Sequence, residues 1–404
     1  MPASKTTFSI PEGAPGFIKE LRSQRHSMQI RRVMDYFSLV SEVFDNCLGV
    51  KPGDSVWISS WDHTLDLAAI MELECARRGC PHLTTVKFED AWFRSISDLS
   101  NQELKVVPVQ MRAALAKTDF YIFTMGPRKP IPWHSIPEKK RNLVSVWLDT
   151  RYDKSPYAKE WARISKLHNV RMLAVEATLA TPERAKPLGL NHKQWEKVML
   201  EGCLADHKEI ARRSRTLSKL LSGNGRVQIS TPSGTELNLV LDQRPVGISD
   251  GISTDEKARK GLITFLPAGA IEVSVEEESA EGRVVYDAPV RMGNNTIKNL
   301  RLRLKNGRIK QHLATRGARK FEQYLRRAGR DGGRIGFLGF GLNPRLQHGY
   351  TQDDKVLGGV TLGFGNNKSM GGKNEATQQW WASITKATVS INDTAIMRDG
   401  KLLV

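Results

Sequence analysis

The chain of 404 residues contains no run of about eighteen apolar residues, so no segment is patterned to cross a bilayer as a helix. Its first residues, Met1-Pro2-Ala3-Ser4-Lys5-Thr6-Thr7, lack the apolar stretch of a secretion signal, and the expected location is the cytoplasm. Cysteine is scarce. Cys47, Cys75, Cys80 and Cys203 form no C-x-x-C pair and have no histidines at zinc-site spacing, which excludes a structural zinc knuckle and leaves reduced, buried thiols as the reading. Histidine is sparse in the second half, where only His312 and His348 follow His207. Acids are outnumbered, 43 against 61 Lys and Arg, for a formal charge of +18. Residues 301–345 hold 13 Lys and Arg against Glu322 and Asp331, so one surface must be strongly basic and suited to an anionic ligand, nucleic acid or an acidic partner.

A composition of 40% hydrophobic and 26% charged residues is that of a folded chain, and the length calls for two cores. Phe37, Val40, Val43, Phe44, Cys47 and Leu48 recur at helical spacing, Gly49 to Asp54 turns the chain, and Ser55 to Ser59 reads as a buried strand. A helical stripe over residues 65–78 ends at Gly79, and apolar bursts at 120–123, 143–148 and 171–175 alternate with polar helical stretches. That alternation implies a parallel sheet. A basic amphipathic helix over 205–221 is followed by short strands parted by glycine turns, at 226–230, 236–241, 263–266 and 283–287. The expected architecture is an α/β amino-terminal domain with a mainly parallel sheet, residues 1–207, and a β-rich (α+β) carboxy-terminal domain, residues 208–404.

Three glycine-rich segments carry a family resemblance. Gly339-Phe340-Gly341-Leu342-Asn343-Pro344, Gly358-Gly359-Val360-Thr361-Leu362-Gly363-Phe364-Gly365 and Gly371-Gly372-Lys373-Asn374 resemble, in order and spacing, the signature of the thermophilic metallo-aminopeptidases of the aminopeptidase T and S type. Leu266-Pro267-Ala268-Gly269 and Thr181-Pro182-Glu183-Arg184-Ala185 extend the match into both halves. The resemblance implies that family's fold, a homodimer, and two divalent metals, zinc or cobalt, held by glutamates, histidines and an aspartate that activate a water.

At the positions matching those ligands this chain has Ala270, Phe337, Thr361, Gln379 and Trp381, and Lys368 stands where the family has a nearby tyrosine. Methyl, benzyl, hydroxyl, amide and indole groups do not hold a pair of dications. The expectation is therefore a divergent homologue, a pseudoenzyme by descent, with a dismantled two-metal centre and no cofactor. Its relined cleft is expected to bind or act on a small neutral or anionic, partly aromatic ligand instead of hydrolysing peptides, with Trp380 in its wall and Lys368, Lys373 and Asn374 as polar contacts.

Two alternatives stay open. Glu272 shares a strand face with Ala270, and with Asp354 and His348 it could hold one weakly bound cation, supporting a hydrolase or an oxygenase. The resemblance allows the oxygenase because an iron-dependent dihydroxypyridine dioxygenase is similar in fold. The second alternative is a basic binding module: Arg316, Arg319, Lys320, Arg326, Arg327 and Arg330 lie opposite a stripe of Leu313, Phe321, Tyr324, Leu325 and Ala328, as on a surface helix. Gly247-Ile248-Ser249-Asp250-Gly251 fits G-x-S-x-G but reads as an ordinary turn in a polar loop.

Overall fold

The computed structural model describes residues 27–133, 135–141, 143, 155–292 and 295–404. Of the apolar burst at 143–148, all but Leu143 lies outside the described residues.

Four strands of the first half, β1 (Val56–Trp61), β2 (His82–Lys87), β3 (Phe120–Thr124) and β4 (Arg171–Val175), pair in parallel. β1, β3 and β4 read as near-continuous apolar runs because both faces of the sheet are covered. Val56, Ile58, Phe120, Ile122, Leu173 and Val175 pack with Leu39 and Val40 of helix Ser27–Glu42 and with Leu67, Met71 and Cys75 of helix Leu65–Arg78. On the opposite face Trp57, Tyr121, Phe123 and Met172 meet Leu115 of helix Val109–Leu115 and Trp161 of helix Pro156–Leu167. The sheet is thus doubly wound.

The second half builds an antiparallel sheet of twelve strands. In chain order the strands after β4 are β5 (Asn224–Ser230), β6 (Glu236–Ser249), β7 (Ile263–Leu266), β8 (Ala270–Val275), β9 (Glu281–Val285), β10 (Val290–Met292), β11 (Asn295–Ile297), β12 (Arg301–Lys305), β13 (Arg308–Leu313), β14 (Ile335–Gly341), β15 (Val360–Gly365) and β16 (Gln379–Ile384), then β17–β19 up to residue 402. The segment that positions the site runs β16-β15-β14-β8-β6. One face of it, with Ile271, Val273, Leu338, Phe340, Leu362, Phe364 and Trp380, forms the larger core with Ile210 and Leu217 of helix His207–Leu221 and Phe321 of helix Ala318–Ala328.

Three local readings change. β7 pairs in parallel with β4, so a strand of the second half completes the first sheet instead of joining the β-rich one. Gly247 and Ser249 lie in the long strand β6 and not in a loop, while Gly251 packs against the His207 ring. Leu313 ends β13 with 69% of its surface exposed, so it is no part of the buried helical stripe, which consists of Phe321 and Ala328 with Tyr324 and Leu325 half-buried. No helix among the described residues is long and apolar enough to cross a membrane.

Candidate functional site on the sheet face

Directly paired residues of an antiparallel sheet point to the same side. The register places Gly247, Glu272, Gly339, Thr361 and Ser383 in one row across β6, β8, β14, β15 and β16. The next row is Ser274, Phe337, Gly363 and Trp381. Strand alternation puts Ala270 and Gln379 on this same side, away from the core, so the structure gathers Ala270, Glu272, Phe337, Thr361, Gln379 and Trp381 on one face. Trp380 has the opposite orientation. It stacks on Phe364 at 4.5 Å between ring centroids, donates to the Gly332 carbonyl and belongs to the core.

Glu272 sits between glycines. A Cβ on Gly247 would approach the Glu272 Cγ to 3.2 Å, and one on Gly339 would lie 3.5 Å from the Thr361 Cβ and 3.6 Å from the Glu272 Cβ. Side chains there would fill the slot beside the carboxyl. Among the described residues Glu272 has no hydrogen-bond or ion-pair partner. Burial, reinforced by the charge of Asp354 and opposed by that of Lys355, pushes its pKa up to about 7. A carboxyl so poised holds or releases a proton near neutrality, as a general acid or base requires. Beside it Thr361 and Ser383 share a hydroxyl hydrogen bond of 2.8 Å. The Phe337 ring lies across Gly363, where an added Cβ would run into it, and Trp381 on the last strand of the row is 46% exposed. The face thus offers one protonatable carboxyl, two hydroxyls and two aromatic surfaces.

The carboxyl ends of the parallel strands close one edge of this face. Glu176, which follows β4, takes a 2.6 Å bond from Lys355 Nζ, and the same Nζ donates to the Pro267 carbonyl after β7. Asp354 precedes Lys355 in the short helix Asp353–Lys355, and its pKa is raised by burial against the pull of Lys355. His348 lies over Gly359, its Cε1 3.0 Å from where a Cβ on that glycine would be. Glu272, Asp354 and His348 do not converge as a three-ligand group among the described residues.

Below the second row a buried network ties the Gly371-Gly372 loop to β8. Arg244 donates to both Glu277 oxygens at 2.6 and 2.7 Å and to Ser274 Oγ at 3.1 Å, and Asn367 Nδ2 reaches Ser274, Glu277 and the Gly336 carbonyl. Asn374 donates to the Ile335 and Gly365 carbonyls, so its amide donors hold the scaffold. Lys373 is exposed, with its backbone N–H on Glu277, and exposed Lys368 pairs with Glu375 at 3.2 Å. Arg316, Arg319, Lys320, Arg326, Arg327 and Arg330 are all exposed around helix Ala318–Ala328, apart from this face.

The expectation of no metal or cofactor needs correction. Two groups of three ligand-type side chains, Glu42 with Cys47 and His207, and Asp62 with His63 and Glu89, each bring their ligand atoms within 4.8 Å of one another. All their members but His207, which opens helix His207–Leu221, come from the first half of the chain, where the sequence showed no motif, and they are brought together by tertiary packing. The sheet face itself does not fit a pair of dications: Glu272 is the one carboxylate among the side chains gathered there, and Thr361 and Ser383 satisfy each other.

The architecture is that of the aminopeptidase T fold. The chain superposes on the wild-type AmpT structure from Thermus thermophilus with a TM-score of 0.64 at 13% identity, covering 92% of this chain and 99% of that one. A 2,5-dihydroxypyridine dioxygenase structure from Pseudomonas putida KT2440 superposes with a TM-score of 0.58 at 16% identity, covering 93% and 97%. Residues 196–404 match the family described as NicX: 2,5-dihydroxypyridine 5,6-dioxygenase, and the chain belongs to that family. No curated protein matches the chain.

Proposed function

We propose that this chain takes a small, planar, hydroxyl-bearing aromatic ligand, neutral or singly anionic, on the sheet face, with Glu272 as the group that exchanges a proton with it. The observation that carries this reading is the unpaired Glu272 carboxyl, lodged between Gly247 and Gly339 and titrating near neutrality. A half-buried carboxyl with no hydrogen-bond or ion-pair partner destabilises a fold unless something else uses the group. Family membership supports a ring-bearing ligand, since the family is described by its action on a dihydroxypyridine. Ala270, Phe337, Thr361, Gln379 and Trp381 leave no room for the two-metal hydrolysis of a peptidase at these positions, which makes the chain a divergent member of its fold group. A half-neutral Glu272 has little charge to offer a peptide's ammonium group, whereas it can donate to or accept from a ring hydroxyl.

Calorimetric titration with 2,5-dihydroxypyridine as the probe tests this. Saturable one-to-one binding is expected, weakened about tenfold by Trp381→Ala, because an aromatic contact contributes about 0.5–1.5 kcal/mol beyond its buried area. Absence of saturable binding, or binding indifferent to both Trp381→Ala and Phe337→Ala, would contradict the reading.

A further inference from the structure

We propose that Asp62, His63 and Glu89 form a site for one divalent transition-metal cation at the carboxyl end of the parallel sheet. Asp62 and His63 stand in the short helix Asp62–Thr64 that directly follows β1, and Glu89 opens helix Glu89–Asp98 after β2. The crevice beyond the carboxyl ends of such strands is where doubly wound sheets take their ligands.

Each carboxylate is oriented by backbone amides through one oxygen and leaves the other for the cluster. Asp62 Oδ2 accepts the Glu89 N–H at 3.0 Å, which leaves Oδ1. Glu89 Oε2 accepts the Arg128 N–H at 2.7 Å and the Lys129 N–H at 3.4 Å, which leaves Oε1 buried without a hydrogen bond. Lys129 Nζ lies 3.8 Å from Oε1 on a largely exposed side chain, and the Arg184 guanidinium is also close enough to feel the Glu89 charge, so a bound cation would share the cluster with these basic neighbours. His63 is the second, independent observation. Its side chain is 6% exposed, Nδ1 lies 3.9 Å from Asp62 Oδ1, and neither ring nitrogen makes a hydrogen bond of good geometry, the Thr178 backbone being the one hydrogen-bonding group near enough to act on the ring.

Buried Glu89 Oε1 and the buried His63 ring thus meet the half-exposed Asp62 carboxylate at one spot, and a buried carboxylate oxygen and a poorly partnered imidazole are costly to keep. Two ligands on one cation, at bonds of about 2.0–2.2 Å, lie at most about 4.4 Å apart; the 3.9 Å between His63 Nδ1 and Asp62 Oδ1 falls within that limit, and the 4.8 Å that bounds the whole group requires only a small closure of the side chains around an ion. Mixed oxygen and nitrogen donors select a first-row divalent cation over calcium or magnesium. His63 also lines a cavity of about 200 Å³ with Arg128, Thr178, Glu183 and His192, which gives the cation a route to solvent.

The other three-residue group is closed by its own contacts. His207 Nδ1 lies 2.8 Å from Glu42 Oε1 and 3.7 Å from Cys47 Sγ, so one nitrogen engages both partners and no gap is left for an ion.

Titration of the chelator-treated, full-length protein with Co²⁺, followed by calorimetry and by visible absorption, tests the assignment. One equivalent is expected to bind with a nitrogen- and oxygen-ligated spectrum, with affinity at least 100-fold lower in His63→Gln and in Glu89→Gln and unchanged in Cys47→Ser. Because Glu89 also holds backbone amides, the cobalt-dependent rise in melting temperature is measured in parallel with Asp62→Asn, which is expected to fold and lose that rise. No bound cobalt in the wild type, binding indifferent to His63→Gln, or binding abolished by Cys47→Ser would each overturn the proposal. The result is independent of 2,5-dihydroxypyridine binding, which concerns the other sheet.

Discussion

Replacing Glu272 by glutamine is expected to make the protein more stable above about pH 7 while weakening its hold on the ligand. The sign follows from the direction of the shift. A carboxyl raised from 4.5 to about 7 in the fold binds its proton more tightly there than in the unfolded chain. Its contribution is fully present below about pH 4.5 and is lost as pH rises through about 7, because the ionised form must then sit in its glycine-walled slot. Glutamine keeps the shape and never ionises. The expected gain is on the order of 2–3 kcal/mol at pH 8 and small at pH 4.5, read from urea unfolding at both values. The same variant should bind 2,5-dihydroxypyridine at least tenfold more weakly, since an amide cannot exchange a proton with the ring hydroxyl. A stability gain with loss of binding marks a residue kept for function at the expense of the fold. Equal stability of wild type and variant at pH 8 would show that Glu272 is not confined as described.

The opposite outcome is expected for Arg244→Ala. Arg244 and Glu277 are buried, with side chains 5% and 4% exposed, and joined by two hydrogen bonds. Removing the guanidinium leaves a buried carboxylate short of its counter-charge, with the Asn367 amide and the Lys373 N–H still bonded to it, a loss of about 3–5 kcal/mol. Lys368→Ala, which breaks an exposed pair with Glu375, should change stability by less than about 1 kcal/mol. Comparison of the two in urea separates a structural network from surface charge. Burial alone would raise Glu277, but the bonds from Arg244, the Lys373 N–H and Asn367 hold it down at about 2. That contribution is intact above about pH 4.5 and is lost only as pH falls through about 2, so the wild type should lose it only in strong acid. Arg244→Ala should already lack most of it at neutral pH.

Much of this arrangement was legible in the sequence. The alternation of apolar bursts with helical stretches predicts the parallel sheet, and the period of two places Glu272 beside Ala270 on one strand face. Matching the glycine segments in order put Phe337, Thr361 and Trp381 on neighbouring strands, where the register pairs their rows. What escaped was set by partners far along the chain. Ile263–Leu266 has the same apolar alternation whichever sheet it joins, and its parallel register with β4 depends on a crossing between domains that local pattern does not encode. Leu313 fell at the right spacing for the helical stripe but precedes the turn at Gly317. Asp62, His63 and Glu89 meet because β1 and β2 are adjacent and parallel. The only local sign was an acid and an imidazole side by side where an apolar strand ends. Trp380 and Trp381 differ by one position, which in a strand is the difference between core and cleft.

The most direct measurement is a crystal structure of the full chain soaked with 2,5-dihydroxypyridine. The expected result is a ring lying against Phe337 and Trp381, with one hydroxyl within hydrogen-bond distance of the Glu272 carboxyl. Density for the compound only in the cavity beside His63, or a pair of metal ions bound on the sheet face among Glu272, Thr361 and Trp381, would contradict the account.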